Sequence, residues 1–335
     1  MTLSLLIPCF NEESVLPQLF ARLEAAAETW GLDYEVICID DGSSDRTWEL
    51  LKRRHAADPR WKALAFARNF GHQTAISAGL YHCTGDVVAI LDADLQDPPE
   101  ELGRFLQKWR EGYEVVYAVR QKRKEGPLKR FCYWAFYRLM AGIVPFDLPL
   151  DAGDFCLLDR RAVAALNAMP ERHRFLRAMR AWTGFRQVGV AYERHARAAG
   201  DSKYSVRKLF SLAWDGIFSF STAPLRVASY AGMLISGLSL LGIIFTFFQR
   251  IFAHAFARVG LAPVPGFATI VISILFLGGV QLLCLGIVGE YIGRIYDEVK
   301  RRPLWTIREA EGLTPRQAQP PELGVAPQPA QPASR

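Results

Sequence analysis

The chain of 335 residues is half hydrophobic, has a net charge of +6 at pH 7 and a mean hydropathy of +0.07. Its length fits one sizeable globular domain with an additional smaller part. The six cysteines include no C-x-x-C pair, which argues against a structural zinc site or a disulfide framework. A basic balance suits nucleic acid, an anionic membrane surface or small anionic substrates, and the apolar excess near the C-terminus favours the membrane.

Apolar runs and helical spacing alternate along the first third of the chain. Strands are predicted at 3–7, 34–39, 62–67, 87–91 and 114–118. No basic residue precedes the short apolar run at 3–7, so this run is interpreted as a strand and not as a signal peptide. Helices are predicted at 13–30, after a cap at residue 43 or 44, at 73–83 and after Pro98. This order predicts an α/β fold with a mostly parallel sheet and helices on both faces. Ligands in such sheets bind at the carboxyl ends of the strands.

Two apolar stretches follow, 227–249 and 267–289, and neither contains a charged residue or a histidine. Each forms a helix of roughly 35 Å, long enough for a hydrocarbon core of about 30 Å. Basic residues flank the outer ends of the pair: Lys203, Arg207, Lys208 and Arg226 before it, and Arg294, Lys300, Arg301 and Arg302 after it. The positive-inside rule therefore predicts a multi-pass protein of the cytoplasmic (inner) membrane, with both termini and the large domain in the cytoplasm.

Three further segments have a distinctive composition. The basic, aromatic-rich stretch at about 127–142 predicts a helix lying in a membrane interface, although a packed helix with a solvated basic edge is the alternative. Residues 294–312 are expected to form a cytoplasmic juxtamembrane segment. Residues 313–335, rich in Pro, Gln and Ala, are expected to be disordered. No P-loop and no strand-linked G-x-G-x-x-G occurs, and no nucleic acid partner is expected.

A pair of carboxylates, Asp92 and Asp94, follows the fourth predicted strand and precedes a proline-led helix. Two carboxylates at this spacing, at a strand end, can converge on Mg²⁺ or Mn²⁺, which prefer oxygen ligands and bridge to substrate phosphates. A solvated turn is the commoner explanation of D-x-D alone, but the position at a strand end favours the metal site.

Polar stretches also end the first two predicted strands, at 8–13 (PCFNEE) and 40–45 (DDGSSD). Asp40 or Asp41 could hydrogen-bond a nucleoside, and the backbone of 8–13 could frame a base and ribose. The alternative for 40–45 is a turn with a helix N-cap.

The motifs together resemble a known family. The stretches 8–13, 40–45 and 92–100 (DADLQDPPE) resemble the nucleotide-sugar half of family 2 glycosyltransferases of the GT-A fold. The polyprenyl-phosphate branch of that family is indicated by 68–73 (RNFGHQ), 75–80 (AISAGL), 153–155 (GDF), 199–204 (AGDSKY) and 215–221 (DGIFSFS). Bactoprenol glucosyltransferases are more similar than dolichol-phosphate mannose synthases. The resemblance implies a catalytic domain over 1–225, with the membrane helices within 226–293.

The resemblance also implies site residues. Donor-binding residues would be Pro8, Phe10, Glu12, Asp41, Asp92, Gln96, Arg197, Ser202 and Lys203. Asp92, Asp94 and Gln96 would hold Mg²⁺ or Mn²⁺ against the diphosphate. Arg120, Arg130 and Arg138 would meet the acceptor phosphate, although a surface cation at the membrane face is the alternative for each.

Asp154 is expected beside the sugar, either as a general base or as a group that orients the sugar hydroxyls. The acceptor phosphate already carries an ionised oxygen at pH 7, so a base is not essential. This chain departs from the family pattern at one position. The resemblance leads us to expect Gly-Asp-Phe-Arg-Leu, but the chain has Cys156 in place of the arginine. The expected catalytic residues are Asp94, Asp154 and Arg120.

The implied reaction transfers a sugar with inversion from a nucleotide-sugar, UDP-glucose first, to a polyprenyl phosphate. GDP-mannose is an alternative donor, and a non-catalytic membrane scaffold with the same fold is an alternative function. A processive polysaccharide synthase is disfavoured because Q-x-x-R-W is absent and only two spans are predicted. A glycine-rich second span, with Gly278, Gly279, Gly286 and Gly289, is compatible with a homo-oligomer.

Overall fold

The computed structural model describes residues 1–121, 152–169, 171–172, 174–193, 223–252 and 266–315. Two compact units make up the chain: Met1–Ser211 together with Arg301–Arg335, and Leu212–Lys300. The predicted interfacial helix at 127–142 and most of the predicted disordered tail lie outside the described residues. The predicted domain bounds stay predictions.

The described part of the first unit is built on an eight-stranded sheet in the order β7-β5-β6-β4-β1-β2-β3-β8. Its strands are β1 (Thr2–Cys9), β2 (Asp33–Asp40), β3 (Trp61–Phe66), β4 (Val87–Ile90), β5 (Val115–Gln121), β6 (Ala152–Asp159), β7 (Gln187–Glu193) and β8 (Ile307–Glu311). β1 pairs in parallel with β2 and β4, β2 with β3, and β5 with β7, whereas β6 and β8 pair antiparallel with their neighbours. The predicted α/β fold of the GT-A type is therefore confirmed.

Helices cover both faces of this sheet. They are α1 (Leu16–Ala27), α2 (Thr47–Ala57), α3 (His72–His82), α4 (Leu102–Arg110), α5 (Arg160–Ala168) and α6 (Leu176–Trp182), with a 3-10 turn at Pro99–Glu101. In α1 the buried residues are Leu16, Leu19, Leu23 and Ala26, a spacing that places them on one helix face. β1 is buried along nearly its whole length, as expected for a central strand covered on both sides.

The segment that follows the second long apolar helix forms the last strand of the sheet. β8 pairs antiparallel with β3, and Trp48 Nε1 donates a hydrogen bond of 2.9 Å to Glu309. Trp305 is 2% exposed and stacks on Phe66 with a centroid distance of 6.4 Å. The sequence pattern assigned no strand here, because a short polar stretch with two glutamates has little strand propensity.

The second unit contains two long apolar helices, α7 (Ala223–Ile251) and α8 (Phe267–Val299). Both are long and apolar enough to cross a membrane, with candidate spans at Pro224–Gly242 and Phe276–Val299 whose residues are not buried within the protein. Their exposed side chains include Leu234, Leu241, Phe247, Leu282 and Leu285. Such a large exposed apolar surface supports membrane association.

Candidate active site

The predicted site stretches meet at one edge of the sheet, where β1, β2 and β4 end. Cys9 lies opposite Asp40 in the sheet register, and the amide of Asp41 donates a hydrogen bond of 2.9 Å to the carbonyl of Cys9. On the other side of β1, the amide of Leu91 donates to the carbonyl of Leu6 at 3.0 Å. The residues that follow these strands are therefore neighbours in space, as the strand order predicted.

The loops after β1 and β2 are joined by hydrogen bonds. The side-chain oxygen of Asn11 accepts a hydrogen bond from the Ser44 backbone amide at 2.8 Å. The backbone amide of Asn11 donates to Ser43 Oγ at 2.9 Å. Asn11 has a φ of 57°, in the left-handed region that is uncommon outside glycine. The Glu12 amide donates to Thr47 Oγ1 at 2.9 Å. These contacts fix the edge on which Phe10 is 38% exposed, whereas Pro8 is buried in β1.

Asp41 anchors a third loop, that of residues 68–71. Its carboxylate accepts hydrogen bonds from the Phe70 amide at 2.6 Å and the Gly71 amide at 2.9 Å. Burial raises the pKa of Asp41, and these two amides oppose that rise. Gly42 next to it has a φ of 71°, and a Cβ there would lie 2.5 Å from the Arg68 carbonyl carbon. Asp41 therefore shapes the site, and its predicted contact with a nucleoside stays a prediction.

Asp92, Asp94 and Gln96 are half-buried and alternate with buried Ala93 and Leu95. Leu95 has a φ of 58°, which is strained for a non-glycine residue and typical of functional loops. The Asp94 carboxylate accepts a hydrogen bond of 3.2 Å from the backbone amide of Gln96. The loop thus has a fixed, sharply bent backbone.

The surroundings of Asp92 disfavour its charged form. Its Oδ1 is buried without a hydrogen-bond partner within the described ranges. Burial, together with the charges of Asp97, Asp154 and Asp94, raises the pKa of Asp92 to about 6, against the lowering effect of His72. No cluster of three or more His, Cys, Asp or Glu residues in the described part could hold a metal by itself. Two carboxylates still suit Mg²⁺ or Mn²⁺, which keep substrate phosphates and water as their other ligands.

His72 links the two carboxylates of the site. Its Nε2 lies 3.5 Å from Asp92 Oδ1 and 3.6 Å from Asp154 Oδ2. Burial lowers the pKa of His72, but the contact with Asp154 and the charge of Asp92 outweigh it and raise the pKa to about 9. His72 is therefore a cation at neutral pH. It lies in the RNFGHQ stretch, but no role was predicted for it.

Asp154 is held from its other side by Arg177 of α6. Arg177 donates from Nε to Oδ1 at 2.8 Å and from Nη2 to Oδ2 at 2.9 Å. Burial raises the pKa of Asp154, but Arg177 and His72 outweigh it and hold the pKa well below its usual value. The sequence offered no signal for Arg177, because the contact depends on how α6 packs on β6.

The remaining predicted residues are only partly placed. Arg120 lies at the carboxyl end of β5, where its main chain pairs with Tyr192 of β7. Tyr192 is buried and donates a hydrogen bond to Asp97, which ties the end of β7 to the loop that carries Asp92. The other predicted basic and hydroxyl residues lie outside the described residues: Arg130, Arg138, Arg197, Ser202 and Lys203.

Comparison with known proteins fits this geometry. Residues 4–166 match the family described as Glycosyl transferase family 2, and residues 223–295 match the GtrB C-terminal hairpin. An uncharacterized glycosyltransferase of Bacillus subtilis, YkcC, is 42% identical over 311 residues, which cover 92% of this chain and 94% of its own. The chain belongs to glycosyl transferase family 2. It is a glycosyltransferase, and enzymes with the GT-A fold commonly use a divalent metal.

Two other similarities differ in strength. The bactoprenol glucosyl transferase of Shigella phage SfII is 39% identical over 317 residues, covering 94% of this glycosyltransferase and 100% of its own chain. Among solved structures, mannosyl-3-phosphoglycerate synthase from Rubrobacter xylanophilus aligns with a TM-score of 0.47 and 18% identity, covering 64% of this chain and 71% of its own.

Proposed function

We propose that this glycosyltransferase moves a sugar, glucose from UDP-glucose, onto a polyprenyl phosphate at the cytoplasmic face of the membrane. The observation that carries the proposal is a carboxylate site at the strand ends in a chain that continues into two long apolar helices. The similarity to a bactoprenol glucosyl transferase runs through both parts and supports the same acceptor.

The donor is expected to lie across the ends of β1, β2 and β4. Phe10 offers an exposed ring for a base, while Glu12 and Asp41 lie at the same edge. Asp92, Asp94 and Gln96 would hold Mg²⁺ or Mn²⁺, which would offset the negative charge of the leaving diphosphate. Arg197, Ser202 and Lys203 are proposed to close over that diphosphate.

Asp154 is proposed to orient the donor sugar rather than to take a proton. A carboxylate whose pKa is held well below its usual value by Arg177 and His72 is a weak base. A phosphate monoester is largely dianionic at pH 7 and needs no base to become a nucleophile. The carboxylate, fixed from two sides, is suited to accept hydrogen bonds from sugar hydroxyls.

The acceptor phosphate would then attack the anomeric carbon from the face opposite the diphosphate, which inverts the configuration. Arg120, with Arg130 and Arg138, is proposed to bind the acceptor phosphate. Catalysis would come from alignment of the two substrates and from fixed positive charge. The apolar helices would keep the domain at the membrane surface, where the phosphate of the lipid lies.

A donor panel tests the sugar assignment. Purified enzyme with polyprenyl phosphate and Mg²⁺ would be incubated with radiolabelled UDP-glucose, other UDP-sugars and GDP-mannose, and label in extracted lipid would be counted. We expect the highest kcat/KM with UDP-glucose as donor. The variant Asp94→Asn should transfer no sugar from any donor. A higher kcat/KM with GDP-mannose would contradict the donor, and nucleotide binding without turnover of any donor would favour a non-catalytic scaffold.

A further inference from the structure

Arg180 of α6 is buried beneath the site without the partners that an arginine normally has. It is 3% exposed, and its Nε and Nη2 are buried with no hydrogen-bond partner in the described part of the chain. Its guanidinium carbon lies 5.2 Å from the centre of the Tyr117 ring. Buried arginines are almost always paired, because an unpaired charge is costly to remove from water.

The place that Arg180 occupies is next to Asp154. Asp154, Cys156, Arg177 and Arg180 all line one small cavity. Its other lining residues are apolar: Ile76, Leu80, Ile90, Leu158, Leu166 and Leu176. Asp154 and Cys156 are two residues apart on β6 and so share a face of the sheet. Arg177 and Arg180 are three residues apart on α6 and so share a face of the helix. Burial raises the pKa of the Cys156 thiol, and the charge of Arg180 opposes that rise.

Arg180 therefore brings a positive charge from α6 to the cavity that Asp154 and Cys156 line from β6. Across a cavity of low dielectric, such a charge would stabilise the carboxylate of Asp154.

We propose that Arg180 is a positioning residue for the transfer reaction, supplying from α6 a buried positive charge to the cavity that Asp154 and Arg177 line. This role rests on the proposed function. Arg180 acts through Asp154 and Arg177 and does not touch the substrates. Its Nε and Nη2, which have no hydrogen-bond partner among the described residues, should make Arg180 lower the stability of the fold while it supports turnover.

The opposite signs of these two effects make the first test. In Arg180→Met the side chain keeps a similar length but loses its charge. We expect an unchanged or higher melting temperature, because apolar replacements of poorly satisfied buried charges are often stabilising. We expect kcat to fall roughly 10- to 100-fold, as when a group that orients a direct ligand is removed. An arginine that only fills space predicts an unchanged kcat, which would overturn the proposal.

The second test moves the positive charge from position 180 to position 156. Cys156→Arg in the Arg180→Met background returns one guanidinium to the cavity from the β6 side, and we expect it to restore kcat. Cys156→Arg alone places two cations in the cavity and should lower the melting temperature, whereas the control Cys156→Ser should retain kcat. A double variant that folds but stays as inactive as Arg180→Met would overturn the proposal.

The parent enzyme separates this proposal from the function on which it rests. Turnover by the parent together with full turnover by Arg180→Met contradicts only the role of Arg180. A folded parent that transfers no sugar from any donor contradicts the proposed function and this role with it. If Arg180→Met loses melting temperature and kcat together and Cys156→Arg restores neither, Arg180 is structural and the proposal fails.

Discussion

Arg177 and Asp154 meet through two parallel hydrogen bonds of 2.8 and 2.9 Å, the geometry in which an arginine and a carboxylate bind most strongly. The side chain of Asp154 is 12% exposed and that of Arg177 is 29% exposed, so water screens the pair only in part. His72 approaches the same carboxylate from its other side at 3.6 Å. Asp154 is thus fixed in both orientation and charge.

Loss of Arg177 should affect both stability and turnover. In Arg177→Met the Asp154 carboxylate loses its partner, and breaking such a buried pair costs about 3–5 kcal/mol, with the lower end expected because Arg177 is partly exposed. Arg177→Lys keeps the charge but cannot form two parallel bonds, so its kcat should fall with less loss of stability. Melting temperature and kcat measure the two effects.

A double variant supplies the control for this pair. Asp154→Asn with Arg177→Met removes both charges, so stability should recover relative to Arg177→Met alone while turnover stays low. Equal stability of the single and double variants would mean that the pair makes no net contribution.

Asp92 and Asp94 should bind the divalent cation in the presence of nucleotide. We expect Asp92→Asn and Asp94→Asn each to abolish Mn²⁺ binding with UDP, measured by electron paramagnetic resonance, and to lower kcat by at least roughly 100-fold. Asp33→Asn, at the exposed start of β2, is the matched control and should bind Mn²⁺ normally. Mn²⁺ binding that survives in both site variants would place the cation elsewhere.

The opposite edge of the sheet contains a charge network that should govern acid stability. Glu35 is 5% exposed and accepts hydrogen bonds from Ser4 Oγ at 2.5 Å, Lys62 Nζ at 2.6 Å and the Thr84 amide at 2.8 Å. Burial raises the pKa of Glu35, but these donors outweigh it and lower the pKa below its ordinary 4.5. The stabilisation is therefore present above pH 4.5 and is lost as the pH falls through the lower folded value.

Glu35→Gln should lower the free energy of unfolding by about 1–3 kcal/mol at pH 7. The difference from the parent should shrink as the pH falls below 4.5, because the parent then loses the same charge. Thermal unfolding in detergent across this range checks the prediction. Glu28→Gln, at the exposed end of α1, is the control. A loss of unfolding free energy in Glu35→Gln that does not change with pH would contradict the role given to the Glu35 charge.

Membrane topology can be tested with single cysteines in a background from which the native cysteines have been removed. We expect a membrane-impermeant maleimide to label Ala257→Cys, between the two apolar helices, in intact cells. Arg335→Cys should react only after permeabilisation, because both termini are predicted to be cytoplasmic. The reverse pattern would overturn the positive-inside prediction.

Local patterns predicted most of the central sheet and both apolar helices. Buried strands such as β1 and β4 are continuous apolar runs, and α7 and α8 contain the uncharged stretches 227–249 and 267–289, so hydrophobicity alone identifies them. β6, β7 and β8 were missed because their positions depend on partners far along the chain. β6 lies between β4 and β5 and runs against both, and β8 pairs with β3 across more than 200 residues.

The site shows the same division. Asp92, Asp94 and Asp154 lie in recognisable stretches, and the structure brings Asp92 and Asp154 to the same ring nitrogen of His72. The two arginines of α6 had no signal, since nothing in the local sequence says which face of a short helix will meet the sheet.

The identity of the acceptor is the central claim, and one measurement tests it most directly. Purified enzyme with Mg²⁺ and labelled UDP-glucose would be given polyprenyl phosphate or, as the matched control, the same polyprenol without phosphate, and extracted lipid would be analysed by mass spectrometry. We predict a lipid with the mass of polyprenyl phosphate plus one hexose, formed only with the phosphorylated lipid and lost with EDTA. Equal product with the unphosphorylated lipid, or sugar released only into water, would contradict transfer to a polyprenyl phosphate.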